Sequence, residues 1–141
     1  MIRQATWADH ARCAEIQTAA WNLAIPSHTR VVSLAEFRAQ TQGEQIDLVV
    51  AQGKIAGFIS VWEPDWFVHH LYVDPQAQGS GLGARLIALV AERAGEQGLS
   101  LKCLVENKGA MSFYRGLGFA LTDEVGTDRF GPWVRLTRTA T

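Results

Sequence analysis

The chain has 141 residues, of which 48% are hydrophobic and 19% charged, a composition sufficient for one compact domain over residues 1–141. Its 13 Lys and Arg against 14 Asp and Glu give a net charge of −1, which excludes the basic surface that nucleic acid or an anionic membrane would require. No apolar run is long enough to cross a membrane, and the first ten residues lack the apolar segment of a signal peptide, so we expect a cytoplasmic protein.

The two cysteines, Cys13 and Cys103, are far apart, and neither belongs to a CxxC or Cys/His spacing. Isolated cysteines of this kind are typical of buried, reduced thiols, so we expect neither a disulfide framework nor a metal site. A covalent route through Cys103 would need an activating partner, and none is evident on the strand that carries it.

The first half of the chain is predicted to form a strand, two helices and a hairpin. Thr6 with Asp9, and Ser33 with Glu36, have the spacing of capping boxes and mark two helix starts. Two β-rich runs joined by Gln-Gly-Lys are typical of a hairpin. The predicted bounds are a strand at 2–6, helices ending near 23 and 41, and strands at 47–51 and 55–62.

A central strand at 66–73 opens the second half, and alternation divides its side chains between two faces. One face would carry Phe67, His69, Leu71 and Val73, and the other Val68, His70 and Tyr72. An amphipathic helix follows the glycines near 81, and then come a strand at 99–106, a helix at 110–117 and strands near 119–125 and 133–137. The order β-α-α-β-β-β-α-β-α-β-β predicts an α/β fold with a mixed sheet.

The stretch "QAQGSGLGARLIALV", residues 76–90, places three glycines at a helix start, a pattern typical of a phosphate-binding turn. No lysine follows at the distance that a Walker loop requires. The same residues match the glycine pattern of a dinucleotide-binding fingerprint, and Glu106 lies where that fingerprint has its acidic residue. However, the approach from Val73 to Gly79 is too long, and too few residues follow for a second βαβ half, so this stays a remote alternative.

Three blocks in order carry a more specific pattern. They are "LYVDP" before the glycines, Gln78-Gly-Ser-Gly81-Leu-Gly83 itself, and Asn107 followed by Phe113-Tyr114 and Leu117-Gly118-Phe119. On these blocks the chain resembles the GNAT superfamily of N-acetyltransferases. The resemblance implies a single-domain GNAT-like fold, with a mostly antiparallel central sheet and helices on both faces. It also implies acetyl-CoA as co-substrate, and homodimerisation is common in the family.

The resemblance assigns acetyl-CoA to three segments of this chain. Free amide groups at the helix start suit the pyrophosphate, and the glycines let backbone approach it, with Gln78 and Ser80 as side-chain donors. Pantetheine would pair with the central strand, which in the family diverges from its neighbour and leaves a gap beside Asn107. The expected contacts are Leu71, Tyr72, Val73, Gln78, Gly79, Ser80, Gly81, Leu82, Gly83, Ala84, Asn107 and Tyr114.

The family's reaction is direct attack of an amine on the thioester, which requires one group that accepts a proton and one that donates it. The resemblance gives the general-acid role to Tyr114 and the position of a proton acceptor to His69, whose imidazole suits that role near neutral pH. We expect His70, on the opposite face, to be structural.

The acceptor site in the family is built by the first two helices, their connection and the late strands. Here those segments carry Trp21, His28, Asp128 and Phe130, together with Asp123, Glu124 and Trp133. Acids would attract a cationic amine and aromatic rings would enclose it. The expected function is acetylation of a small amine, an amino-acid derivative or a protein amine. The alternative from another class is a CoA-binding sensor or structural module without catalysis.

Overall fold

The computed structural model describes residues 1–139, which form one seven-stranded sheet covered by helices on both faces. The elements are β1 (Ile2–Gln4), α1 (His10–Ala24), α2 (Leu34–Gln40), β2 (Gln45–Ala51), β3 (Lys54–Trp62), β4 (Phe67–Val73), α3 (Leu82–Ala94), β5 (Leu99–Leu104), α4 (Lys108–Gly116), β6 (Ala120–Asp128) and β7 (Gly131–Arg138). The strands lie in the order β1-β2-β3-β4-β5-β7-β6, and among these described strands only the β4–β5 pair is parallel. The predicted fold class is confirmed.

Two buried clusters lie on opposite sides of this sheet. On one side, α1 and α2 contribute Ile16 and Phe37, which pack against Phe58 of β3. On the other side, α3 buries Leu86 and Val90 against the sheet and the start of β5. No helix within residues 1–139 has both the length and the apolar composition needed to cross a membrane.

Short local signals set several element boundaries. Ser33 caps α2 by accepting a hydrogen bond from the Glu36 amide at 3.0 Å, as its spacing predicts. The β2–β3 turn has positive φ at both Gln52 (54°) and Gly53 (76°), the combination that a tight two-residue hairpin requires. α4 begins earlier than predicted, because Asn107 caps it by accepting from the Ala110 amide at 3.1 Å.

A bulge interrupts β4 at His69. Ser60 of β3 pairs with His70, but the next residue, Val61, pairs with Val68, so β4 contains one extra residue at this point. As a result Val68 packs in the cluster under α3, while the rings of His69 and His70 lie 3.8 Å apart between centroids. The prediction that the two histidines occupy opposite faces is wrong, because it assumed unbroken alternation.

β4 and β5 separate soon after they meet. Their pairing is limited to Phe67 with Ser100 and Val68 with Leu101, although β4 continues to Val73. The remainder of β4 keeps its antiparallel partner β3 on one side and faces a gap on the other. This divergence opens the sheet beside the last residues of β4.

Candidate active site

A cavity of about 690 Å³ occupies the gap between β4 and β5. This volume lies in the range of small-molecule and cofactor sites. Its walls are the end of α1, the end of β4, the glycine loop with the start of α3, and α4. The lining residues are Ala20, Leu23, Ala24, Leu71, Tyr72, Val73, Ala77, Gln78, Gly79, Gly81, Leu82, Gly83, Asn107, Lys108, Gly109, Ala110, Phe113 and Tyr114.

The start of α3 forms one end of the cavity. Its N-cap, Gly81, has φ of 79°, and Gly79 before it has φ of 87°, a conformation that residues with a Cβ rarely adopt. Within residues 1–139 no side chain caps this helix, and the amides of its first turn, like those of any helix, have no intrahelical acceptor. In the part of the chain that the structure describes, a Cβ built on Gly79 or Gly81 meets no atom within 4 Å, so there is open space beside these two glycines. The arrangement suits an anionic group.

Several of the predicted contacts also make hydrogen bonds or packing contacts within the protein. Gln78 donates through Nε2 to the carbonyl of Val73 at 3.2 Å, and Ser80 donates to the carbonyl of Ala77 at 2.6 Å, so both stabilise the loop itself. Ser80 and Ala84 do not line the cavity. At Gly83 a Cβ would lie 3.1 Å from the Phe113 ring, so packing of α3 against α4 explains this glycine.

Tyr114 and Asn107 lie at the α4 side of the cavity, as their spacing of about two helical turns predicts. The Tyr114 ring packs edge-on against Phe119, with centroids 5.5 Å apart. Burial raises the pKa of Tyr114 well above its usual value, and nearby Cys103 and Tyr72 act in the same direction. The hydroxyl therefore keeps its proton at neutral pH.

His69 does not line the cavity. Its Nδ1 lies 2.6 Å from a carboxylate oxygen of Glu44, and its side chain is 38% exposed. His70 is buried, and its Nδ1 lies 2.8 Å from the Ser60 hydroxyl. Burial lowers the pKa of His70 to about 3, with further lowering by His69 and Arg30, so the His70 ring is neutral.

Three of the four predicted acceptor residues come together. Trp21 and Phe130 pack edge-on with centroids 4.6 Å apart, and the His28 ring lies 6.1 Å from Phe130. The Trp21 Nε1 also donates to the carbonyl of His28 at 2.8 Å. Asp128 does not join them: its carboxylate accepts from the Phe130 amide at 2.7 Å and shapes the β6–β7 turn.

The other acids in these late segments do not enclose a cation either. Glu124 pairs with Arg135, and Asp123 is exposed. Trp133 instead lies under Lys102, with the ammonium 4.3 Å from the ring centroid. A prediction of an acidic acceptor site thus does not match the positions of these side chains.

Sequence reasoning missed two residues that shape the acceptor side. The Arg30 guanidinium lies 5.3 Å from the Trp21 ring and 5.1 Å from the Phe130 ring, and it pairs with Glu36. Glu106, considered above as a ribose ligand, accepts a hydrogen bond from Ser27. Both residues lie in loops, which have no regular periodicity, so no pattern in the sequence indicates these contacts.

Cys103 is buried at the end of β5, and burial raises the pKa of its thiol to about 11. A thiol with a raised pKa is a poor nucleophile at neutral pH.

Comparison with known proteins places the chain in one family. The profile of the "Acetyltransferase (GNAT) family" matches residues 7–119. Aminoglycoside N(6')-acetyltransferase type 1 of Stenotrophomonas maltophilia is 32% identical over 138 residues, covering 88% of each chain. L-amino acid N-acyltransferase MnaT of Escherichia coli K12 is 30% identical over 160 residues, covering 96% of this chain and 90% of that one.

The fold is shared with solved structures as well. The structure of yncA from Salmonella typhimurium, solved with its cofactor acetyl-CoA, superposes with a TM-score of 0.73 at 23% identity, covering 100% of this chain and 94% of that one. The sequence match over residues 7–119 and the shared fold show that the chain belongs to the GNAT family of acetyltransferases.

Proposed function

We propose that this protein transfers the acetyl group of acetyl-CoA to a primary amine by direct attack of the amine on the thioester. The observation that carries the proposal is the single cavity that reaches from the uncapped start of α3 to the Tyr114 side chain. One end of it suits a phosphate, and the other presents a protonated hydroxyl.

The residues present fit acetyl-CoA. The free amides of Leu82, Gly83 and Ala84 and the positive end of the α3 dipole would hold the pyrophosphate, and Lys108 on the opposite wall adds a cation. The end of β4 lacks a strand partner on its open side, so its backbone can pair with the amides of the extended pantetheine arm.

Residues of this chain would then carry out two proton transfers. Acetyl-CoA supplies an activated acetyl group whose departing thiolate must take up a proton. Tyr114 donates that proton, and backbone N–H groups of residues 71–73 stabilise negative charge on the carbonyl oxygen. His69 accepts the proton released by the amine. Because His69 lies outside the cavity wall, we propose that this proton reaches its ring through solvent.

The acceptor is proposed to enter beside Trp21, His28 and Phe130. α1 supports this location, since Ala20 and Ala24 line the cavity while Trp21 joins the aromatic cluster. The names of the relatives include an aminoglycoside acetyltransferase and an L-amino acid acyltransferase, both of which modify amines. Small amines, amino-acid derivatives and protein amines remain the candidate classes.

Thiol release from acetyl-CoA should be measured over a panel containing aminoglycosides, L-amino acids, simple alkyl amines and peptides with a free N-terminus. A parallel thermal-shift titration with acetyl-CoA reports binding alone. Stabilisation by acetyl-CoA together with turnover of one amine class supports the proposal. Stabilisation without turnover of any amine would instead indicate a CoA-binding module, and no stabilisation would exclude both functions.

A further inference from the structure

Glu44, His69 and His70 form a cluster outside the cavity, and we propose that it is a binding site for a divalent transition-metal ion of the Zn²⁺ class. One ligand atom from each of the three side chains lies within 4.8 Å of the other two. Neither histidine nor the glutamate belongs to a metal motif in the sequence, because Glu44 and His69 are 25 positions apart.

The bulge in β4 is what creates the cluster. Consecutive residues of a regular strand point to opposite faces, so two adjacent histidines cannot normally bind one ion. The extra residue at this position brings the His69 and His70 rings to the same side, 3.8 Å apart and inclined by 31°. Glu44, immediately before β2, approaches the pair from the neighbouring part of the sheet.

A second, independent observation concerns the Glu44 carboxylate. Its side chain is only 7% exposed, and its Oε2 pairs with His69 Nδ1 at 2.6 Å. Its Oε1 is buried and has no hydrogen-bond partner within residues 1–139. A buried carboxylate oxygen without a partner is costly, because the water that would solvate it has been removed. A cation bound by this oxygen would offset that cost.

The donor set selects the class of ion. Two imidazoles and one carboxylate are ligands that Zn²⁺ accepts, whereas Mg²⁺ and Ca²⁺ prefer oxygen ligands alone. Tetrahedral zinc with bonds of about 2.0–2.1 Å holds its ligand atoms roughly 3.3 Å apart, so the cluster must contract. His69, being 38% exposed, has the freedom to rotate inward and leaves a fourth position to water.

His70 is already oriented for such a role. Its Nδ1 lies 2.8 Å from the Ser60 hydroxyl, which leaves Nε2 as its ligand atom. A second hydrogen bond of this kind is the usual support of a metal-binding histidine, because it fixes the ring and its tautomer.

Metal binding would affect catalysis through His69. An ion at the cluster occupies a lone pair of the ring that, on the proposed function, accepts the proton of the amine. Bound Zn²⁺ should therefore lower turnover. This consequence rests on the proposed function, but the site itself does not, and the two can be tested separately.

Zn²⁺ should be titrated into chelator-treated protein in the absence of acetyl-CoA, with a chromophoric chelator reporting free metal. We expect one ion per chain, unaffected by excess Mg²⁺. Glu44→Gln and His69→Ala should each weaken binding by at least tenfold, whereas Glu92→Gln, an exposed site on α3, should not. Equal affinity in Glu44→Gln and Glu92→Gln, or no stoichiometric binding by the unmodified protein, would overturn the proposal.

A measurement on the unmodified protein removes any dependence on how the variants fold. The chain has four histidines, and Zn²⁺ should shift the ring resonances of His69 and His70 while leaving those of His10 and His28 in place. Shifts confined to His10 or His28 would place the ion elsewhere and contradict the assignment.

Discussion

Tyr114 is half-buried at the cavity wall, and no hydrogen bond within residues 1–139 engages its hydroxyl. On the proposed function, this hydroxyl acts on a group that enters the cavity. Its removal should therefore affect chemistry more than folding or binding.

Tyr114→Phe should lower turnover at saturating acetyl-CoA by about 100-fold, the lower end of the range for a lost general acid, because a thiolate is already a good leaving group. Steady-state thiol release measures this loss. The dissociation constant for acetyl-CoA, measured by thermal shift, should stay within about twofold and is the internal control. Turnover equal to that of the unmodified protein would remove the acid role.

His69→Ala should change the pH dependence of kcat/KM. If His69 accepts the amine's proton, the rate of the unmodified enzyme falls as the pH is lowered and the ring becomes protonated, and the variant lacks this acidic limb. The profile should be recorded with the best amine of the panel, in a chelating buffer that removes metal. An identical profile in both proteins assigns proton acceptance to water.

Sequence reasoning located Tyr114 and misjudged the surroundings of His69. Tyr114 lies on a regular helix, so its spacing from Asn107 determines its direction. His69 lies at a bulge, which adds one extra residue to the strand. The side chains before the bulge therefore face the side of the sheet opposite to the one that strict alternation predicts. Bulges have no periodic signature, and the partnership with Glu44 depends entirely on tertiary structure.

Among the elements, α3 depends most clearly on special backbone geometry at its start. Gly81 adopts φ of 79° with open space around its Cα. A methyl group there would have room, but the left-handed backbone would be strained.

Gly81→Ala should lower the free energy of unfolding by about 1 kcal/mol and weaken acetyl-CoA binding, because the relaxed loop no longer presents the α3 amides. Gly116→Ala is the matched control: this glycine ends α4 without a positive φ or a close neighbour, so the change should stabilise the protein by about 0.5 kcal/mol. Urea unfolding and thermal-shift titration measure both effects. An unchanged affinity in Gly81→Ala would argue against the phosphate site.

The start of α1 is tied to β1 by an ion pair. Arg3 makes two hydrogen bonds to the Asp9 carboxylate, at 2.8 and 3.1 Å, and the Thr6 amide donates to the same carboxylate at 2.7 Å. The bonds from Arg3 hold the pKa of Asp9 well below its usual range, with Thr6 contributing in the same direction.

Because the pKa of Asp9 is lower in the folded state, this group contributes its full stabilisation above about pH 4, and the contribution is lost progressively as the pH falls from there towards the lower pKa of the folded state. Asp9→Asn should cost about 1–2 kcal/mol at pH 7 and less at pH 2.5 in urea unfolding. Asp65→Asn, at an exposed position, should change neither value by more than about 0.5 kcal/mol. A cost that is the same at both pH values would contradict the role of the carboxylate charge.

Helix boundaries were predictable where a capping residue precedes a periodic run, as at Ser33. The start of α4 was less predictable, since Lys108 and Gly109 contribute no apolar periodicity and Gly109 is a poor helix former. There the side chain of Asn107 starts the helix two residues before the pattern does.

At the scale of the whole molecule, one sheet separates two buried clusters and belongs to both. Ile59 faces the α3 side and Phe58, next to it in β3, faces the α1–α2 side. Disruption of either cluster therefore destabilises the same strands. Residues 1–141 are therefore proposed to unfold as one cooperative unit.

Leu86→Ala and Phe37→Ala, in different clusters, should each cost about 3–4 kcal/mol and shift one common transition. Near- and far-ultraviolet circular dichroism during urea unfolding should give coincident curves. Leu121→Ala, where half of the side chain is exposed, should change stability by less than about 0.5 kcal/mol. Two separate transitions, each moved by only one variant, would show independent units.

The fold class was predictable because long periodic segments and turn residues alternate along the whole chain. The acceptor side was predictable only in part: Trp21 and Phe130 were expected there, whereas Arg30, which lies over both rings, was not. Contacts of that kind follow from how the sheet brings its ends together, and no local pattern encodes them.

The early separation of β4 from β5 also has a mechanical consequence. Within residues 1–139 two residue pairs join the β1–β4 half of the sheet to the β5–β7 half, so this strand pairing has the fewest paired residues in the sheet. A ligand that bridges the gap with backbone hydrogen bonds would connect the two halves of the sheet and make the sheet more rigid. We expect amide hydrogen exchange of residues 69–73 to slow on acetyl-CoA binding, even where no side chain touches the ligand.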